Sequence, residues 1–239
     1  MNHRPLFSLG VFLLASVAVF GQANKLPAEV HPSVGKAIER SQEAHRSGDH
    51  QLAIALMAGT LYPEGITVKL EESNLQNAAE RARRATDRAV EAWSRHLNGD
   101  SPIRLVRNGD IAAVRIILVP SLAEESEDAL GFINLEKSYR WSKRGHEVNV
   151  RGTIRVQTHW DGRPLTEDEF TEVICHELGH LLGLADVARP GPLMGPAVKG
   201  KAVTEPTSHE ARILNDLRSL LRQRWTAAKN LAERSQASE

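Results

Sequence analysis

The sequence predicts an α+β domain, with a group of short strands lying between long amphipathic helices. Three observations predict it. Apolar, strand-length runs recur at Ile66–Leu70, Ile103–Val106, Ala112–Val119, Gly131–Asn134 and Val148–Thr158. Helical periodicity brackets them, over residues 73–97 and again from about residue 167. The composition, 41% hydrophobic and 25% charged, is that of a chain able to bury a core.

Residues 1–23 read as a secretory signal peptide, with Arg4 ahead of an apolar run from Leu9 to Phe20 and small residues at Gly21 and Ala23. That run is too short to span a bilayer comfortably, so no stable membrane association is expected after its removal. The mature protein is then secreted or periplasmic. Cys175 is the single cysteine, so no internal disulfide holds the fold. Residues 24–70 form an N-terminal helical segment and a candidate propeptide. They comprise a connector to Ser33, a hairpin of helices over 34–59 broken at Ser47-Gly48-Asp49, a Tyr62–Gly65 turn and the first strand.

Residues 71–230 read as the main domain and 231–239 as a frayed tail. Over 73–97, Leu75, Ala82, Ala85, Ala89, Trp93 and Leu97 share one helix face. Arg81, Arg83, Arg84 and Arg88 on the same helix alternate with Glu80, Asp87 and Glu91, which predicts a solvated face and no nucleic acid. Lys+Arg and Asp+Glu are each 30, so the net charge is zero and gives a polyanion no purchase. Ala112–Val119, nearly all apolar, is expected to be interior to the sheet. Ser208 is the expected cap of a last helix that packs through Ile213, Leu214, Leu217, Leu221 and Trp225.

The chemistry concentrates in residues 166–196. Thr166 and Glu169 have the spacing of a capping box, so a helix begins at about 167. His176 and His180 lie four apart, one turn above each other, and can converge on one ion. Glu177 between them reaches the remaining, water-filled position as a general base. Gly183 is where the helix must stop if a third ligand is to swing back, because glycine accepts positive φ without steric cost. Asp186 is the first metal-binding side chain past that turn.

The order His176, Glu177, His180, Gly183 and Asp186, followed by Met194 in a Pro/Gly-rich loop, resembles the metzincin zinc peptidases of the matrixin type. Aspartate in place of the third histidine resembles the snapalysin-like variant. The resemblance covers roughly 120 residues. It implies a twisted mixed sheet, an active-site helix, a methionine turn at Met194 beneath one zinc ion, and a C-terminal helix. It further implies an endopeptidase, a monomer acting on protein or peptide substrates, which an edge strand holds antiparallel.

 The departures carry their own expectations. Asp186 swaps a neutral nitrogen donor for an anionic oxygen, which makes a bound zinc a weaker acid toward water. Val198 stands where matrixins carry a pocket tyrosine, so side-chain preference does not transfer. Calcium, which matrixins bind, would have to use the acidic segment 124–128, but that segment lacks regular oxygen-ligand spacing and reads as a solvated loop. No cysteine precedes Cys175, so the matrixin cysteine switch is missing. Two alternatives stay open: a gluzincin-type site with Glu205 or Glu210 as third ligand, and a non-catalytic binding protein stapled by a structural zinc.

Overall fold

The computed structural model describes residues 26–71, 76–97, 102–107, 110–122, 129–142 and 144–237. The leader over 1–23, the acidic segment 124–128 and the helix end at Asn98–Asp100 lie outside the described residues. The helices are α1 (Pro32–Arg46), α2 (His50–Leu61), α3 (Gln76–His96), α4 (Glu167–Leu182) and α5 (Ser208–Ala237). Strands β1 (Ile66–Leu70), β2 (Ile103–Leu105), β3 (Val114–Val119), β4 (Gly131–Ser142) and β5 (Gly145–Gln157) form one mixed sheet. A small ribbon of β6 (His159–Trp160) and β7 (Arg163–Pro164) leads into α4. The α+β class expected from the sequence is therefore present.

The sheet order is β2-β1-β3-β5-β4. The first four strands are parallel, and β4 runs antiparallel to β5 as the terminal strand. Val68, Val114, Ile116, Ile154 and Val156 are fully buried on the helix-covered side of the sheet. Arg115 and Phe132 are exposed, and Arg155 lies 5.8 Å from the Phe132 ring. One face is thus core and the other meets water, which explains the period-two alternation of β3.

Helix α3 presents Ala82, Ala85, Ala89 and Ala92, all buried, to its neighbours. Small side chains let backbones approach, and Trp93 then donates through Nε1 to the carbonyl of Cys175 in α4 at 2.8 Å. That bond joins the longest early helix to the one that carries the site. Helices α1 and α2 enter the same core through Val34, Ile38, Leu56, Met57 and Leu61. Strand β1 lies between β2 and β3. The segment 24–70 thus contributes an interior strand and a large share of apolar burial to the fold containing residues 71–230.

Three local expectations differ from what is observed. Strands β4 and β5 continue into a hairpin that closes between Ser142 and Gly145, well past the expected ends. The added residues, Glu136 to Ser142, are mostly polar, and Lys137 interrupts their inward stripe. Thr207, not Ser208, caps α5, since its Oγ1 accepts the Glu210 amide at 3.2 Å. The expected tail over 231–239 is helical through Ala237, because Ala228 and Ala232 pack against Ala44, Ala53 and Ile54 of the first hairpin.

Candidate metal centre

The site begins with the start of α4. Thr166 Oγ1 accepts the Glu169 amide at 3.2 Å, and the Glu169 carboxylate accepts the Thr166 amide at 2.9 Å, completing a capping box. Arg163 adds a two-pronged ion pair to the same carboxylate, at 2.5 and 2.8 Å. These Arg163 bonds, helped by Thr166, hold the buried Glu169 carboxyl down at about 2. The helix end is as sharply set. Gly183 adopts φ 107° and its amide closes on Gly179 and His180, so the chain leaves α4 in the left-handed conformation.

Past that turn the backbone is pinned from two sides. Ala185 donates its amide to the carbonyl of Glu29 at 2.7 Å, and Val187 donates to Met194 at 2.8 Å. His31 donates its amide to Gly183 at 2.8 Å, and Val30 forms a β-bridge with Leu184. Asp186 sits between these anchors. Its Oδ1 lies 3.1 Å from Nε2 of His176 and 3.3 Å from Nε2 of His180.

One ligand atom from each of the three residues falls within 4.8 Å of the others, so the cluster could hold a metal ion. The hydrogen bonds around it test the fit. His176 Nδ1 lies 2.9 Å from the carbonyl of Leu193, and His180 Nδ1 lies 3.0 Å from that of Leu184. A carbonyl oxygen only accepts, so each Nδ1 carries a proton. In the neutral rings both Nε2 lone pairs then face the Asp186 carboxylate. Three electron-pair donors with no proton between them suit a cation, and the carbonyls orient the rings as outer-shell partners do in metal sites.

Glu177 is buried, and it accepts a backbone hydrogen bond from Ile133 on β4. Burial, opposed by the charge of His176, pushes its carboxyl up to about 7. Gly131 leaves room for it: a Cβ there would fall 2.5 Å from Glu177 Oε1. When His176 is protonated it donates from Nε2 to Asp186, and that bond is what holds Asp186 below the usual carboxylate range. Burial lowers His180.

Met194 is buried against Gly179, where a Cβ would collide with its sulfur. Glycine in the turn of α4 between His176 and His180 is therefore what allows the methionine loop to close beneath it. The loop is anchored by Glu210, whose carboxylate accepts the amides of Met194 at 2.8 Å and Leu193 at 3.3 Å. Thr207 gives the same carboxylate its amide at 2.8 Å and its hydroxyl at 2.7 Å. These engagements leave Glu210 outside the histidine cluster. Glu205 pairs with Arg95 at 2.9 Å on the surface. Neither glutamate joins His176 and His180, as the alternative third-ligand expectation required.

Neither the models of known protein families nor the curated proteins contain a match to this chain. The site is accordingly read from its own geometry.

His176, Glu177, His180, Asp186 and Met194 all line a single cavity of about 1040 Å³. Gly183 lines it as well, as do residues of β4, the terminal strand of the sheet. Residues 29–31 belong to the connector read from the sequence, which has no local signal for a pairing with a turn more than 150 residues away. Glu210, a rival ligand by type, serves instead as a clasp, and Thr207 and Glu210 carry the same capping-box spacing as Thr166 and Glu169. Of the other histidines, His31 also lines the cavity, its ring 6.3 Å from that of His180, while His146 bonds Gln51, His159 bonds Thr158, and His209 faces Glu29. Cys175 is buried and its thiol is pushed up by burial, as expected of an inert core side chain.

Proposed function

We propose that this chain is an exported zinc-dependent endopeptidase, similar to the matrixin-type metzincins and to their snapalysin-like variant. The observation that carries the reading is the convergence of His176 Nε2, His180 Nε2 and Asp186 Oδ1 beside Glu177 and the terminal strand β4. His176, His180 and Asp186 would hold the ion. When bound, zinc polarises a carbonyl oxygen and acidifies water.

The protein's own groups do the rest. The β4 edge offers main-chain hydrogen bonds that align an extended peptide across the cavity. Glu177 Oε takes a proton from the attacking water and passes it to the leaving amine nitrogen. Burial of that carboxyl favours its cycling between the two states. The carbonyls of Leu193 and Leu184 keep each histidine proton on Nδ1, away from the ion.

The test is hydrolysis of a diverse peptide library by the purified mature protein, with and without a chelator. Cleavage that chelation abolishes and zinc restores is the expected result. Glu177→Gln should bind zinc with near wild-type affinity while losing about 10²–10⁴-fold or more in turnover. Normal cleavage by Glu177→Gln, or hydrolysis indifferent to the chelator, would overturn the reading.

A further inference from the structure

The cavity that holds the metal cluster does not end there. Along β4 its wall continues from Gly131, beside Glu177, through Ile133 and Leu135 to Lys137 and Tyr139. Lys137 lies six residues beyond Gly131, about 20 Å along an extended strand. Helix α1 also lines the cavity, with Lys36 and Arg40 four residues apart and so on one side of the helix. Arg40 is also close enough to Tyr139 to act on its hydroxyl.

The cavity's carboxylates are Glu172, Glu177 and Asp186, and all three act on His176 or are acted on by it. Its cations are Lys137 on β4 and Lys36 and Arg40 on α1, of which Arg40 reaches Tyr139, two residues from Lys137. Lys137 is half-buried, and its ammonium lies 5.2 Å from the Tyr62 ring. Among the described residues no carboxylate faces it, and burial alone holds it down at about 8. Desolvating an ammonium without a counter-ion is costly. An anion in the cavity would relieve that cost.

We propose that Lys137, Arg40 and Lys36 form a carboxylate-binding subsite, which selects peptides carrying a carboxylate about six residues from the bond placed at the metal cluster. This rests on the peptidase reading for the identity of the ligand as a peptide. A peptide antiparallel to β4 brings an acidic side chain there from the N-terminal side of the cleaved bond. A peptide parallel to β4 brings its own C-terminal carboxylate. The chemistry is the same and the source differs.

The experiment measures binding, by fluorescence anisotropy, to the full mature chain carrying Glu177→Gln, so that no turnover is needed. Three labelled peptides of one apolar sequence are compared. One has blocked ends and two glutamates near its N-terminus, one has glutamine at those positions, and one has glutamine with a free C-terminal carboxylate. The glutamate peptide is expected to bind about tenfold or more tighter than its glutamine counterpart. Lys137→Met, which keeps the aliphatic stem, and Arg40→Gln should each shrink that ratio. A gain seen only with the free C-terminus supports the subsite and assigns the parallel orientation. Equal affinity of all three peptides, or a ratio that survives both substitutions together, overturns it. The comparison on one unaltered subsite needs no variant of α1 or β4 to fold. Cleavage assays on the enzyme with Glu177 intact separate the two readings. A glutamate preference in binding without any hydrolysis sinks the peptidase and keeps the subsite. Hydrolysis indifferent to glutamate, with equal binding, sinks the subsite and keeps the peptidase.

Discussion

The chain uses one four-residue device twice, with different results. At Thr166–Glu169 the box starts α4, and the carboxylate's remaining capacity goes to Arg163, a neighbour in sequence. At Thr207–Glu210 the box starts α5, and the remaining capacity goes to the amides of Leu193 and Met194, in the loop beneath the His176–His180–Asp186 group. The first box is a local cap reinforced by a surface-reaching cation. The second is a tertiary clasp that uses a helix start to hold a loop. The sequence predicts the first cap at Thr166, puts the second at Ser208 in place of Thr207, and shows the clasp in neither case.

Breaking the second box should have the largest effect. Glu210→Ala orphans two buried amides of the methionine loop and two donors of Thr207, and should cost about 3 kcal/mol or more. Thermal denaturation measures the loss, and weaker zinc binding should accompany it. An effect no larger than that of an ordinary cap would mean that the clasp is ornamental.

Next is the surface the clasped loop rests on. Gly179→Ala drives a methyl into the Met194 sulfur and should destabilise by about 1–3 kcal/mol, with displacement of the loop seen in the Met194 methyl resonance. The first box should matter less, and in a pH-dependent way. Glu169→Gln is expected to cost about 1–2 kcal/mol at pH 7. Its folded-state carboxyl lies at about 2 against an ordinary 4.5, so the ionised form is the one that stabilises. That contribution is complete above about pH 4.5 and fades as pH falls toward 2, where the variant and the parent should unfold alike. Arg163→Gln is the smallest perturbation. It should move the Glu169 titration upward toward the ordinary range, read by NMR, with little change in melting temperature.

The legible part of the site was the part written in adjacent residues. The cap at Thr166, the two histidines one turn apart, Glu177 between them and the glycine stop all follow from helix geometry, which acts over three or four residues. The strand order was not legible, although the interior position of β3 was, since an apolar run needs cover on its flanks. Strand β4 was cut short in the sequence because its second half is polar. What makes it a strand is twelve paired positions on β5 and a cavity on one side, which no propensity reports.

From its sequence alone this protein determined that a helix would carry two imidazoles and a carboxylate at one spacing, and that a glycine would end it. Only the tertiary structure decided where Asp186 would stand. It did so by clamping the turn to Glu29 and His31 at one end of the chain and to Met194, itself held by Glu210, toward the other. The physical reason is range: backbone geometry is settled by near neighbours, whereas the meeting of three ligand atoms depends on hydrogen bonds between segments that the chain keeps far apart until it folds.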